Sequence, residues 1–389
     1  LFCDKQDLFE ARLGGYRTYR IPGIVATPGG AVLVTTEARP LDGGDYDPID
    51  VLMRRSTDGG ITFAPPVKLV DHAAYGAGPA NNFVMIADAP RDRVQAVFCH
   101  DYARVFTMHS DDDGESFSAP VEITDVFESF RADYPWRVCA TGPGHGLRLS
   151  NGRLIVPVWL SDGSGNEMGR GRDGRPHRGH RPSAVTLVFS DDGGASWRRG
   201  DIVCRHGDVV DGETVVNPNE TVAVELSDGR VMFNVRNESA RHRRLVAVSP
   251  DGVSDWRMVG FDEALLEPVC MASMMRLADG RIAFINPDTV ERTMSTARGP
   301  IGPPSCDRKR LTVKLSTDDG GTWPVSKVLE DGPAGYSDVA QAADGSLLCA
   351  YECGQVSGMW DDRWLRLARF DAAWVTDGAC SAARLSATG

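Results

Sequence analysis

The 389-residue chain is expected to be all-β, a propeller of four-stranded blades forming a single domain over residues 1–389. Three observations predict this. First, Ser56 to Phe63, Ser110 to Phe117, Ser190 to Trp197 and Ser316 to Trp323 all read Ser-x-Asp-x-Gly-x-[Thr/Ser]-aromatic, and a damaged copy runs from Ser249 through Asp251 to Trp256 with Val253 where Gly belongs. The copies begin 54 to 80 residues apart, the range of a four-stranded blade with long loops. Second, turn sequences recur just ahead of short apolar runs: Pro28-Gly29-Gly30, Asn151-Gly152, Asp228-Gly229, Asp279-Gly280 and Asp344-Gly345. Third, no helical period persists over a useful length, and no Pro/Ser-rich linker divides the chain.

Each repeat has the chemistry of a tight turn between two strands. The Asp bonds nearby backbone N–H groups, the Gly takes a positive φ, the hydroxyl closes the turn and the aromatic anchors it. Asp58, Asp112, Asp192 and Asp318 are therefore read as structural, since a carboxylate held by its own turn is a poor catalyst. The expected strands include Ala31 to Thr35, Arg153 to Trp159, Ser183 to Phe189, Arg230 to Val235 and Ser346 to Tyr351. The repeat is the Asp-box, and it resembles that of sialidases and of several unrelated propellers. By itself it speaks for fold and not for function.

A net charge of −12 argues against a general nucleic-acid or anionic-membrane surface, so an anionic substrate would need a local basic site. The nine cysteines show neither C-x-x-C pairs nor metal-ligand spacing, and an odd number cannot all pair internally. Buried free thiols are the expectation, with no metal and no cofactor. No apolar run of about 18 residues is present, so no membrane span is expected. The chain begins at Leu1, where a removed leader would leave no trace; a secreted or periplasmic location is expected ahead of a cytoplasmic one.

Tyr19-Arg20-Ile21-Pro22 precedes an apolar run at Val25. Together with the Asp-boxes downstream, this tetrapeptide resembles the Tyr/Phe-Arg-Ile-Pro signature of the retaining exo-sialidases. The resemblance covers nearly the whole chain, from Leu8-Phe9-Glu10 to a final strand near Trp374, and implies a six-bladed propeller. It also implies hydrolysis of a terminal α-ketosidic sialic acid, a nonulosonic acid whose carboxylate sits on the anomeric carbon.

An enzyme for such a sugar must grip an anion beside the reacting centre, and guanidinium forks do this through paired charge-assisted bonds. The family uses three. By motif they are Arg20, Arg236 in Phe233-Asn234-Val235-Arg236-Asn237, and Arg308 in Asp307-Arg308-Lys309-Arg310, with Arg310 competing for the third place. A carboxylate nucleophile would approach the substrate's own charge at a cost of about 4 kcal/mol for unit charges 4 Å apart at an effective dielectric of 20. A neutral hydroxyl avoids that repulsion. Sialidases, with a Tyr nucleophile, are a known exception to the two-carboxylate rule of glycosidases, and the matching residue is Tyr336 in Gly335-Tyr336-Ser337-Asp338.

A phenol with a pKa near 10 needs a base, and Glu220 in Asn217-Pro218-Asn219-Glu220-Thr221 matches the family's glutamate. Glu225 reads instead as an exposed strand residue. The resemblance places the acid on the loop from Glu37 to Asp50, where Asp42, Asp45, Asp47 and Asp50 compete. Asp45 is preferred because it follows a Gly-Gly pair that makes the loop mobile. Arg39 resembles the arginine at the sugar's C4 side, and Glu352 in Ala350-Tyr351-Glu352-Cys353 the glutamate that holds the first arginine.

The sequence departs from the family where another Asp commonly contacts the C4 or N-acetyl region. Here Gly78 to Val84 offers Asn81 and Asn82 and no carboxylate, which keeps deaminated sialic acid or 3-deoxy-octulosonic acid open as substrates. Gly165 to Pro182 carries Arg170, Arg172, Arg175, His177, Arg178, His180 and Arg181, read either as a solvated loop or as an electropositive rim for polyanionic glycans. His177 and His180 lack a third metal ligand. Tyr134, Trp136 and His145 either line an aglycone platform or pack a blade. A glycan-binding propeller without activity is the rival from another class, but it has no need of Tyr336, Glu220 and an acidic loop residue beside three arginines; a transferase would use the same set.

Overall fold

A computed structural model describes residues 1–170, 174 and 176–377, and these are overwhelmingly β. Their principal strands pair into six antiparallel units of four. The first comprises Thr18–Ala26, Val32–Arg39, Asp50–Ser56 and Val67–Val70. The second comprises Ala80–Asp88, Arg93–His100, Arg104–Ser110 and Val121–Glu122; the third has Val138–Thr141, Leu154–Ser161 and Ser183–Ser190, with short outer pieces at Arg198–Arg199 and Cys204–Arg205. Thr221–Glu225, Val231–Val235, Arg243–Ser249 and Arg257–Leu266 make the fourth.

The last two units share one long strand, Val325–Gln341. Its first half completes the sheet of Ser273–Arg276, Ile282–Pro287 and Lys309–Ser316, and its second half opens the sheet of Leu347–Cys353 and Trp364–Phe370. The N-terminal strand Cys3–Glu10 then pairs with Trp364–Phe370 as the outer strand of that last sheet. The chain thus closes its own ring. Between each unit and the next lies a separate apolar core; the closing one joins Ile24, Val32 and Val34 of the first unit to Leu348, Ala350, Leu365 and Leu367 of the last. Burial of alternating residues from two sheets in each seam is the main stabilising term.

The repeats behave as their chemistry demands. Ser56 donates to Asp58 at 2.7 Å, Asp58 accepts from the Thr62 N–H at 2.9 Å and hydroxyl at 2.6 Å, and the Gly60 N–H donates to the Ser56 hydroxyl at 2.9 Å. The same bonds recur around Asp112, Asp192 and Asp318, always in the turn leaving a unit's third strand. In the damaged copy, Gly252 supplies the N–H to Ser249 one position early, and Asp251 still caps Val253 and Ser254. The motif loses a residue and keeps its turn.

The predicted strands all form, with ends shifted by at most four residues. Trp374 lies just beyond the last strand, which ends at Phe370. The eight described cysteines are free thiols, seven of them buried. No described helix is long and apolar enough to cross a membrane.

Candidate active site

One end of the ring collects residues from the starts of innermost strands and the ends of the strands paired with them. Antiparallel register brings this about: Arg20 lies opposite Glu37, Thr18 opposite Arg39, Thr221 opposite Val235, and Ser337 opposite Tyr351. The ladder is broken at three of these places, between Arg20 and Gly23, Asn81 and Val84, and Ala334 and Ser337. Such bulges re-aim side chains. Ile21 and Asn82 take φ of 58° and 54° within two of them, a conformation that a β-branched residue such as Ile21 rarely adopts.

At the centre, the Tyr336 hydroxyl donates to Glu220 Oε1 at 2.5 Å and accepts from Arg236 Nη1 at 2.6 Å. Arg236 also pairs with the other Glu220 oxygen. Three guanidinium groups face the Tyr336 ring, with their carbons 5.2 Å (Arg20), 5.9 Å (Arg236) and 4.9 Å (Arg308) from its centroid. Burial pushes the phenol well above its ordinary pKa; Arg236 opposes the shift and Glu220 adds to it, so the hydroxyl is neutral. Arg308 is anchored by the Val269 carbonyl at 3.1 Å, whereas Arg310 is exposed. Of the two competitors, Arg308 is the one at the cluster.

Glu352 ties the first arginine to the tyrosine. Its carboxylate, fully buried, lies 3.2 Å from Arg20 Nε and accepts from the backbone N–H of Ile21 at 2.9 Å and of Tyr336 at 3.2 Å. A Cβ on Gly335 would stand 2.7 Å from Glu352 Oε2, which explains the glycine before the tyrosine.

Asp45 is held by Arg39. Arg39 Nη1 donates to Asp45 Oδ1 at 2.8 Å and to the Gly43 carbonyl at 2.7 Å, and its Nη2 donates to Glu37 Oε2 at 2.6 Å. Burial alone would raise the Asp45 pKa, but Arg39, with His180 and Arg20, outweighs it and holds the group at about 2. Asp47 is bonded to Gly44 of its own loop, and Asp50 accepts from Tyr16, Lys68 and His72. Asn81 and Asn82 are buried; the Asn82 N–H donates to Glu37 at 2.8 Å and its side-chain oxygen accepts from Asn81. The two asparagines therefore buttress the carboxylate that orients Arg39.

Two participants escaped the sequence reading. Glu37 alternates along its strand like any half-buried residue, and only the pairing across to Asn82 reveals its place. Asp362 is buried 3.8 Å from Arg20, and desolvation together with the Glu352 charge pushes its carboxyl up to about 7. Its sequence setting, Trp360-Asp361-Asp362-Arg363, carries no repeat or motif.

Several expected features lie elsewhere. Glu225 accepts from Ser150 N–H and hydroxyl, away from the tyrosine. Trp136 is core, and Tyr134 bonds the Pro182 carbonyl. His145 Nδ1 lies 2.6 Å from Asp338 Oδ1, which accepts its hydrogen bond, and His145 lines a cavity of about 310 Å³ at the opposite ends of the innermost strands, with Arg148 and Arg276. Two arginines of the basic loop are paired, Arg178 with Asp101 and Arg181 with Glu238, and Arg170 donates to the Gly174 carbonyl; Arg172 and Arg175 lie outside the described residues.

Residues 30–349 match the family model described as a BNR repeat-like domain. A sialidase of Micromonospora viridifaciens is 30% identical over 97% of this chain and 55% of its own length. A sialidase of Bacteroides fragilis (strain YCH46) is 26% identical over 86% of this chain and 60% of its own length. The chain thus spans rather more than half of each of these relatives. Among solved structures, the Hadza microbial sialidase Hz136 superposes with a TM-score of 0.74 at 22% identity, covering 95% of this chain and 69% of that one. A Trypanosoma rangeli sialidase, described as a covalent intermediate with 2,3-difluorosialic acid, gives 0.68 at 17% identity, over 94% of this chain and 58% of that one. At these identities the solved structures speak for the fold.

Proposed function

We propose, from the premise that this chain belongs to the BNR repeat-like family and within it to the sialidases, that it is an exo-glycosidase. Its substrate is a glycan ending in an α-ketosidically linked sialic acid, and it hydrolyses that bond with retention through a covalent tyrosyl intermediate. The observation that carries the reading is the convergence of Arg20, Arg236 and Arg308 on the ring of a tyrosine whose hydroxyl bonds Glu220.

In this reading the three guanidiniums take the sugar's carboxylate and place its anomeric carbon over the Tyr336 oxygen. Glu220 removes the phenolic proton as the C–O bond to the sugar forms, and Arg236, bonded to the same oxygen, stabilises the phenolate character that develops. Asp45, once released from Arg39, protonates the leaving glycosidic oxygen, so the glycan departs as an alcohol. In the second half-reaction Asp45 takes a proton from water, which attacks the anomeric carbon, and the tyrosyl bond breaks as Glu220 returns its proton to the departing Tyr336 oxygen. Arg39, freed of Asp45, turns to the polar groups of the sugar. Because the segment from Gly78 to Val84 offers no carboxylate and its asparagines are bound up with Glu37, deaminated sialic acid and 3-deoxy-octulosonic acid are further candidate substrates.

The test is hydrolysis of a sialyl-galactoside followed by proton NMR. Release of the α-anomer before mutarotation supports the proposal. Absence of release from all three ulosonic glycosides, with glycan binding retained, would favour a lectin-like propeller.

A further inference from the structure

Tyr46 follows Asp45 on the loop joining Val32–Arg39 to Asp50–Ser56 and is that loop's one aromatic residue. Its ring centroid lies 4.5 Å from His177, 5.1 Å from Tyr102 and 5.6 Å from His180, and its hydroxyl donates to the Arg178 carbonyl at 2.9 Å. His180 in turn packs 4.8 Å from Tyr102 and 5.1 Å from Trp159. Arg178 closes the cradle: its carbon is 5.6 Å from the Tyr46 ring, and its Nη2 donates to Asp101 Oδ2 at 2.8 Å. Three units contribute. Tyr46 comes from the first, Asp101 and Tyr102 from the turn after Arg93–His100 in the second, and Trp159 and the basic loop from the third.

Arg39 bonds the Gly43 carbonyl and Asp45, while Gly43 has φ 84° and the Asp45 side chain is about a third exposed. A Gly-Gly pair next to an acid makes its position loose unless a neighbour is fixed. Tyr46 is such a neighbour, half-buried against Tyr102 and Trp159.

Resting on the reading of Asp45 as the acid, we propose that Tyr46 is a positioning residue that fixes Asp45 by locking the acid loop into the His177, His180 and Tyr102 cradle of the neighbouring units. His177, Arg178 and His180 of the basic segment then form the far wall of this lock, with Arg178 held in place by Asp101.

The consequence appears in how the rate depends on the leaving group. A sugar alkoxide leaves only with a proton, whereas 4-methylumbelliferone leaves readily without one, so misplacing the acid slows the first far more than the second. Tyr46→Ala is expected to lower kcat/KM on a sialyl-galactoside by about 10²- to 10³-fold while lowering it on the 4-methylumbelliferyl glycoside by less than about tenfold. Tyr46→Phe, which keeps the ring, restores the wild-type ratio. His177→Ala, which thins the cradle from its other side, produces the same split at smaller size and carries the test if Tyr46→Ala fails to fold. Asp45→Asn is run in parallel. If it shows no split, the acid assignment itself fails; if it shows the split while Tyr46→Ala and His177→Ala slow both substrates equally, Tyr46 is merely structural and the inference is overturned.

Discussion

Arg39 and Asp45 form a 2.8 Å ion pair, so the carboxyl proposed to donate a proton is held as a carboxylate, its pKa drawn down to about 2. An acid in that state has no proton to give at neutral pH. On the proposed reading, substrate separates the pair: the sugar draws Arg39 toward its own polar groups and covers Asp45, and both changes raise the carboxyl's proton affinity.

The same pair contributes to stability, and its sign is fixed by the depressed pKa. The contribution is complete above about pH 4 and is lost as pH falls toward 2. With the side chain a third exposed, about 1 kcal/mol is expected, after discounting for solvent screening. Asp45→Asn should therefore flatten urea-unfolding stability between pH 4 and 2 relative to wild type.

Arg39→Ala leaves Glu37 buried and without its counterion, and is expected to destabilise the protein by about 3–5 kcal/mol in denaturant titration. Glu352→Ala leaves Arg20 only Asp362, 3.8 Å away, and is expected to destabilise less, with a second signature: KM for the sialoside rises, because the arginine and the Tyr336 backbone lose their common anchor. Loss of stability without any change in KM would mean that Glu352 serves the fold alone.

Asp362 has the opposite sign. Its raised pKa means that the folded state prefers the protonated form, so stability falls as pH rises from about 4 to about 7 and is level above that. Asp362→Asn should match wild type near pH 4 and exceed it by about 2–4 kcal/mol at pH 8, read from unfolding curves at each pH. An unchanged difference across that range would show that Asp362 titrates normally.

Much of this site was legible because its residues stand at fixed places in repeating units. Arg20, Glu220 and Glu352 lie at or beside strand ends, Tyr336 sits at the bulge within Val325–Gln341, and short motifs mark them. Asp362 and Tyr46 sit on irregular loops, where nothing periodic reports position. The basic loop illustrates the other limit: its arginines read as free charge along the chain, but Asp101 and Glu238, more than fifty residues away, fold back to pair with Arg178 and Arg181. Ring closure was likewise invisible, since the pairing of Cys3–Glu10 with Trp364–Phe370 joins opposite ends of the sequence.

Glu220→Gln removes the base while leaving the Tyr336 hydroxyl a partner, so a fall in kcat of about 10²- to 10⁴-fold is expected with little change in unfolding midpoint.

The most direct measurement of the central claim is covalent trapping with 2,3-difluorosialic acid, followed by proteolysis and mass spectrometry of the labelled peptide. The fluorine beside the anomeric carbon slows release of the intermediate. The account predicts one sugar bound to the peptide carrying Tyr336, absent in Tyr336→Phe. Attachment to Glu220, Asp45 or any other carboxylate would contradict it.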